Sequence, residues 1–373
     1  EQEYFCEGFS EDLLSMLSRY NKLVVISSHA SFAYKEKSKS FKEIGTELGV
    51  RYVIHGSVRK LGPRMRINAN LVSTENEKSI WSNNFDLKVE EVFDVQDKIA
   101  EEMVSTIVGR VEADALDNIK TKRPDNMDSY DLVLQGLEYA KKGNVMKENT
   151  QKAVELFEKA IEVEPSYARA HAWRACTLSN LADWEESPDP KIFENAFESI
   201  KLALELDSNE PEVHRIMGAL KLWHERDHEM AKYHFEKARE LCPSDVFIIS
   251  RYAIMLIYFA EFDKALEELE RAKRLDPFSH DLIFGPEATC HYWLDNPKEA
   301  LQTFKKVKVK KNYLFYMALT YKKIGDNDQA SEILREAHAL TGMDNDSFIG
   351  TQPFKDQGIL STLKNELSEI QTK

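Results

Sequence analysis

The sequence predicts two fold classes in series: an α+β N-terminal domain, with a mixed sheet and flanking helices, followed by an all-α superhelix of stacked hairpins. Three observations predict this. A small–large–small pattern recurs at a period of 34 residues in the C-terminal two-thirds. The first 125 residues instead alternate short β-type apolar runs with amphipathic helices. The composition is that of an ordinary globular chain, with 42% hydrophobic and 31% charged residues, 11 prolines and 14 glycines, which leaves little room for disorder. The predicted division is 1–125 for the α/β domain, 126–342 for about six hairpins and 343–373 for a capping segment.

Glu7 to Tyr20 reads as an amphipathic helix with Phe9, Leu13, Leu14 and Leu17 on one face and Ser10 as N-cap. Leu23 to Ser28 is a short apolar run, bounded as a buried strand would be. Phe41 to Leu48 is a second helix, stopped by Gly49. Arg51–Arg59 and Arg64–Val72 read as strands joined at Lys60-Leu61-Gly62-Pro63, and Ile80–Phe85 as a further strand. A long helix is expected from about Glu90 to Lys120. His55 and Trp81 fall within strands and read as packing residues. The basic cluster Arg51, Arg59, Lys60, Arg64 and Arg66 lacks a Gly-rich loop at a helix N-terminus, so it reads as a solvated hairpin rather than an anion site.

The repeat is plainest at Ala231, Phe235, Ala238 and Pro243, and again at Ala265, Leu269, Ala272 and Pro277. An earlier copy is Ala153, Phe157, Ala160 and Pro165; degraded copies are Ala196/Ile200/Ala203, Ala300/Phe304/Val307 and Ala330/Leu334/Ala337. Positions i, i+4 and i+7 share one helical face, so small residues flank a large one where two helices approach closely. Proline ends the unit because it cannot donate to the preceding turn. A first helix precedes each copy, with small and bulky positions at Gly136/Tyr139, Ala175/Leu178, Gly218/Lys221, Ala253/Leu256, Glu287/Cys290 and Ala318/Tyr321. Turns are lengthened at Gly143–Thr150 and Trp184–Pro190. This pattern resembles the tetratricopeptide repeat (TPR) over roughly Asp128 to Gly342.

The resemblance implies a concave face lined by first-helix residues. By phase these are Arg169, Cys176, Arg215, Ala219, Phe247, Ile254, Phe284, His291, Phe315 and Lys322. The peptide-binding set is Arg169, Arg215, Phe247, Ile254, Phe284, His291, Phe315 and Lys322. The face is basic early and apolar later, which suits an extended peptide with apolar anchors. An equal alternative is that the apolar part is covered by the chain's own tail or by a second subunit. The paired Lys and Asn of a carboxylate clamp are not found. Asp356 to Ile370 reads as one amphipathic helix, with Ile359, Leu360, Leu363, Leu367 and Ile370 on one face, the usual cap of a solenoid.

In the third repeat, His224-Glu225-Arg226-Asp227-His228 spells HExxH, and His234 stands where a metzincin carries its third zinc ligand. Such a site needs the first two histidines one turn apart on a single helix. Here the repeat phase puts Arg226 and Asp227 at the turn between helices. Ala231 also replaces the glycine that bends a metzincin chain. His224, Glu225, His228 and His234 therefore read as a decoy, and neither a metal nor a cofactor is expected. Cys6, Cys176, Cys242 and Cys290 form no CxxC pair, which argues against structural zinc and thioredoxin-like chemistry.

The stretches YFCEGFSEDLLSMLSR, ASFAYK, EIGTELGVRYVIHGSVRK, RMRINANLVSTENEKSIWSNNFD and FDVQDKIAEEMV resemble, in order, the TolB amino-terminal-like domain, also found in the flagellar FlgO group. Members open with an IAVLPF-type strand, which is missing here, so natural residues are expected upstream. In that family the domain and its TPRs commonly follow a class III nucleotide cyclase, a CadC/ToxR-type winged-helix regulator or a protein kinase, often with a membrane helix between. The resemblance implies a sensory or assembly role.

The net charge is −14, and residues after Asp125 carry 32 basic against 43 acidic side chains. That balance argues against nucleic-acid binding through this chain. No run is apolar and long enough to cross a bilayer, so a membrane is reached only through an upstream segment. A periplasmic location follows by analogy with tethered relatives, with cytoplasmic as the alternative. The reading is an interaction protein rather than an enzyme: a regulatory module that binds a protein or peptide. The alternatives are a scaffold, perhaps a homo-oligomer, and remotely a zinc hydrolase.

Overall fold

The computed structural model describes residues 3–20, 23–35, 39–61, 63–88, 91–108, 124–143, 146–182, 184, 189–278 and 280–370. The chain divides into two compact units: Glu1–Met217 with Glu240–Asp245, and Gly218–Arg239 with Val246–Lys373. The division passes through the third hairpin.

The first unit opens with helix α1 (Glu3–Ser18) and the short helix α2 (Ser28–Phe32). Ser10 lies inside α1 and donates to the Cys6 carbonyl at 2.9 Å, so it is not the N-cap expected from the sequence. The helix begins a turn earlier because Phe5 continues the apolar stripe of Phe9 and Leu13 into the core. Helix α3 (Phe41–Leu48) starts on a capping box, in which Ser40 accepts from the Glu43 amide and Glu43 accepts in return from the Ser40 amide. It ends at Gly49 in the left-handed region, φ 67°, as expected.

Strands β1 (Tyr52–Leu61), β2 (Arg64–Ser73) and β3 (Ser79–Lys88) form an antiparallel sheet in the order β1-β2-β3. Among the described residues the sheet is not mixed. Residues 23–27, expected as a buried strand, are extended but unladdered, and Val24 is 77% exposed. The hydrophobic run is too short to bury both faces, and its Val25 packs on the core while Val24 points away. β2 alternates strictly at first, with Met65, Ile67, Ala69 and Leu71 inward, until an irregularity between Leu71 and Val72. Helix α4 (Val92–Val108) covers that inner face with Ile99, Ala100, Met103 and Val104. Its expected extension to Lys120, the Gly62 turn and the inserts at 144–145 and 185–188 lie outside the described residues. Gln96 donates to the Phe9 carbonyl at 2.8 Å and ties α4 to α1. Trp81 is half-buried and donates to Glu102; His55 is exposed, covered on one side by the Phe41 ring at 4.8 Å. The packing expectation for His55 thus holds for one face of the ring only.

The hairpins of the first unit are α5 (Met127–Gly143) with α6 (Lys147–Val163), and α7 (Ala168–Ala182) with α8 (Pro190–Leu206). Helix α9 (Pro211–Leu220) opens the third hairpin. One core joins α1, the sheet, α4, the first hairpin and the start of the second: Phe5, Phe9, Leu71 and Met103 belong to it together with Val133, Phe157 and Ala170.

The second unit contains a π-helical turn (Lys221–Glu225), α10 (His228–Leu241), α11 (Val246–Tyr258), α12 (Phe262–Leu275), α13 (His280–Trp293) and α14 (Pro297–Phe304). It continues with α15 (Leu314–Lys323), α16 (Asn327–Thr341), α17 (Asn345–Thr351) and α18 (Gln357–Ser368). Every predicted small–large–small triplet, from Ala153/Phe157/Ala160 to Ala330/Leu334/Ala337, is buried. The close approach is literal at Gly136 and Gly218. A Cβ there would stand 2.6 Å from Phe157 Cε1 and 3.0 Å from Phe235 Cδ2. Tyr139, expected to pack as the bulky first-helix residue, is 38% exposed.

Candidate polypeptide-binding face

The first-helix residues do not share one environment. In the first unit, Arg169 Nη1 donates to Asp12 Oδ1 of α1 at 2.6 Å, and Tyr130 donates to the other oxygen at 2.7 Å. Burial opposes the Arg169 charge, but Asp12 overcomes it and holds the guanidinium protonated. Burial, reinforced by Asp12, pushes the Tyr130 hydroxyl far above its ordinary value. Arg215 is 4% exposed, pairs with Glu212 at 2.6 Å and lies 5.5 Å from the Trp173 ring. Both early arginines are therefore engaged inside the unit. Helix α1 and the turn after it supply further anchors: Glu11 to Lys141 at 2.8 Å and Arg19 to Glu210 at 3.1 Å. The Ser244 hydroxyl also donates to the Leu23 carbonyl at 3.3 Å.

In the second unit, Phe247, Arg251, Ile254 and Tyr258 follow one another at i, i+4, i+7 and i+11, which is one stripe of α11. Phe247 and Ile254 are half-buried, and the Arg251 guanidinium lies 5.0 Å from the Phe247 ring. On α13, Phe284 is half-buried between the ammonium groups of Lys273 (5.8 Å) and Lys306 (5.3 Å). His291 stands 3.9 Å from Glu287, whose carboxylate is already held by Lys273 at 2.5 Å. Phe315 and Lys322 are covered. Phe348 stacks on Phe315 at 4.1 Å with planes 6° apart. Lys322 donates to the Glu366 carbonyl at 3.0 Å and to Glu369 at 2.6 Å.

The cover is the chain's own C-terminal segment. Arg226 Nη2 donates to the Gly350 carbonyl at 2.6 Å, and His228 Nε2 donates to the Pro353 carbonyl at 2.9 Å. The Lys355 amide donates to the Tyr258 carbonyl at 3.0 Å. Phe354 is 2% exposed, with Tyr258 and Trp293 edge-on to it at 5.1 and 5.6 Å. Leu363, Leu367 and Ile370 of the terminal helix region are buried, as a cap requires. Sequence reasoning missed Arg226, His228, Tyr258 and Trp293 as holders of this segment. The available signal was an isolated Pro-Phe between two helices.

The HExxH spelling falls across a bend. His224 belongs to the π-helical turn, Arg226 follows at φ 57°, and His228 opens the next helix. The two histidines thus flank the expected bend, and His228 is bound to Pro353. His234 is buried within α10. Among the described residues, no group of three His, Cys, Asp or Glu side chains is placed to hold a metal ion. No described helix is long and apolar enough to cross a membrane.

No family model matches the chain. A curated protein of Rhizobium meliloti (strain 1021) that carries an adenylate cyclase name is 28% identical over 229 residues, 61% of this chain and 38% of its own length. The chain thus spans well under half of that relative. Among solved structures, PilW, a type IV pilus biogenesis factor, is 18% identical at a TM-score of 0.45, covering 59% of this chain and 96% of that one. PilF of Pseudomonas aeruginosa is 20% identical at 0.42, over 58% and 94%. A tetratricopeptide repeat protein of Parabacteroides merdae ATCC 43184 is 13% identical at 0.43, over 75% and 99%.

Proposed function

We propose that this chain is a polypeptide-binding regulatory module whose partner docks on the first-helix face of the second unit. One observation carries the reading: the stripe Phe247, Arg251, Ile254, Tyr258 is apolar with one cation, half-buried at Phe247 and Ile254, and covered by peptide at its Tyr258 end. A surface that already holds one extended segment by main-chain bonds and an aromatic anchor has the chemistry to hold another. Arg169 and Arg215 act as structural anchors in this reading, and Phe284, His291, Phe315 and Lys322 border the face. The four HExxH residues supply no catalysis.

Residues 1–125 are, in this proposal, the TolB amino-terminal-like domain, 126–342 the TPR hairpins and 343–373 the cap. The whole forms the sensory arm of a longer signalling protein. The cyclase-named relative supports a nucleotide cyclase as one such output module, joined through an upstream segment. A homo-oligomeric scaffold is the second reading. It rests on β1 and β3, which each pair on one side only among the described strands. Light scattering that returns a clean monomer removes it.

The test is selection of displayed peptides on the full chain, followed by titration. Selected peptides should bind the Phe247→Ala/Ile254→Ala chain at least 10-fold more weakly, the loss of two apolar anchors at about 1 kcal/mol or more each. Binding unchanged by that pair would overturn the assignment of the face.

A further inference from the structure

We propose that residues 348–355, the end of α17 and the non-helical stretch after it, are a built-in competitor: a ligand-like segment that covers the Tyr258 end of the face until a partner segment of matching chemistry displaces it. The inference rests on the polypeptide-binding reading of that face and specifies what the face reads.

A cap need only shield the apolar surface of the last hairpin. Leu363, Leu367 and Ile370 do this, and they lie after the segment in question. Residues 348–355 reach much further back. Phe348 stacks on Phe315 of α15, Phe354 meets Trp293 of α13 and Tyr258 of α11, and Gly350 and Pro353 are held at the turn of the third hairpin. Four successive hairpins thus contribute contacts to eight residues. Phe348 and Gly350 belong to the end of α17, and from Gln352 to Phe354 the chain leaves the helix and runs back over the fifth, fourth and third hairpins, a path that covering a chain end does not require.

The contacts divide as they do in peptide recognition. Three go to the main chain: Arg226 to Gly350, His228 to Pro353, and the Lys355 amide to Tyr258. The first closes the C-terminal turn of α17, and the other two hold the non-helical backbone after it whatever its side chains. The other contacts go to side chains and give selectivity. Phe354 fills the notch between Tyr258 and Trp293, and Lys355 pairs with Glu229 at 2.6 Å while lying 5.3 Å from the Phe259 ring. The Lys355–Glu229 pair is solvent-exposed, at 51% and 78% of the side chains, so this end of the segment is the weakly held one. The occupant this geometry fits is an extended partner segment with proline, an aromatic residue and a lysine in succession.

The probe is a fluorescent peptide of residues 346–356, titrated into full-length chains. The wild-type chain should bind it weakly, because the tethered copy competes at an effective concentration of roughly millimolar. Lys355→Glu sets the tail against Glu229 and should tighten peptide binding at least 10-fold. Adding Glu229→Lys to that variant re-forms the internal pair and repels the peptide lysine, so binding should fall back. A peptide with Phe354→Ala should not bind. Equal affinity of wild-type and Lys355→Glu chains, or an alanine peptide that binds as well as the native one, overturns the proposal. A second readout needs no variant. In the wild-type chain, saturating peptide should speed hydrogen exchange of the Lys355 amide while Leu363 and Leu367 stay protected; a Lys355 amide that stays protected with peptide bound also overturns it. If these fail while selected peptides still need Phe247 and Ile254, the binding face stands without the competitor.

Discussion

Asp12 carries two neighbours at once, the buried Tyr130 and the half-buried Arg169, and it is the largest favourable influence on that guanidinium. Removing one partner of a largely buried pair leaves an uncompensated charge. Asp12→Ala should therefore destabilise the first unit by about 3 kcal/mol, read as a shift in the urea midpoint; a loss below about 1 kcal/mol would show the pair to be solvated. Histidines set the acid limb. Burial, the largest cause in each case, holds His171 and His224 below the ordinary imidazole value, and at His171 the Pro165 carbonyl pulls the other way. The unfolded chain binds protons at these sites that the folded chain refuses. Stability is complete above an unfolded value of about 6.5 and falls as pH drops below it toward the folded values. The unfolding midpoint should fall between pH 7.5 and 5.5, and His171→Gln, which can still donate to Pro165, should flatten that slope. Arg169 was legible as a first-helix position because phase is local. Its partner was not, since Asp12 lies 157 residues earlier.

The third to sixth hairpins share one turn. Arg226, Ala260, Asp295 and Gly325 each close a first helix in the left-handed region, at φ 57°, 60°, 57° and 85°. The next amide then reaches back to the helix: Glu261 to Leu256, Asn296 to His291 and Asp326 to Tyr321. In the third hairpin the equivalent bond runs from Asp227 to Lys221, one residue longer, which is the π-helical turn that separates the two histidines of HExxH. A side chain in the left-handed region costs roughly 1–2 kcal/mol, and glycine does not bear that cost. Ala260→Gly should stabilise the second unit by about 1 kcal/mol in thermal unfolding, a rise where helix-interior glycines cause a loss. Gly136→Ala argues the reverse sign. Alanine is the better helix former, but its Cβ would meet the Phe157 ring, so we expect a net loss of about 1–3 kcal/mol. The triplets and the Gly49 stop were readable because i, i+4 and i+7 patterns and a C-terminal glycine carry their own geometry. The strand expected at 23–28 was not, because a short apolar run does not say whether a neighbouring strand will pair with it.

Sequence grammar changes near residue 125, yet packing divides the chain within the third hairpin, because α1 and α4 share a core with the first hairpin. Composition marks where a repeat begins but not which surface fills its face. The terminal helix was legible from its amphipathic spacing; the path of residues 352–355 was not, since a non-helical segment has no period to read. Ending the chain after Thr341 should uncover Phe315, Tyr316, Trp293 and Tyr258, and strongly raise binding of an apolar dye relative to the intact chain. The central claim is that the first-helix face of the second unit binds polypeptide. Its most direct measurement is a crystal structure of the chain with a selected peptide. The account predicts the peptide along Phe247, Arg251, Ile254 and Tyr258, with an aromatic side chain in the place of Phe354. A peptide seated on another surface, with residues 348–355 undisturbed and Phe247 and Ile254 untouched, would contradict it.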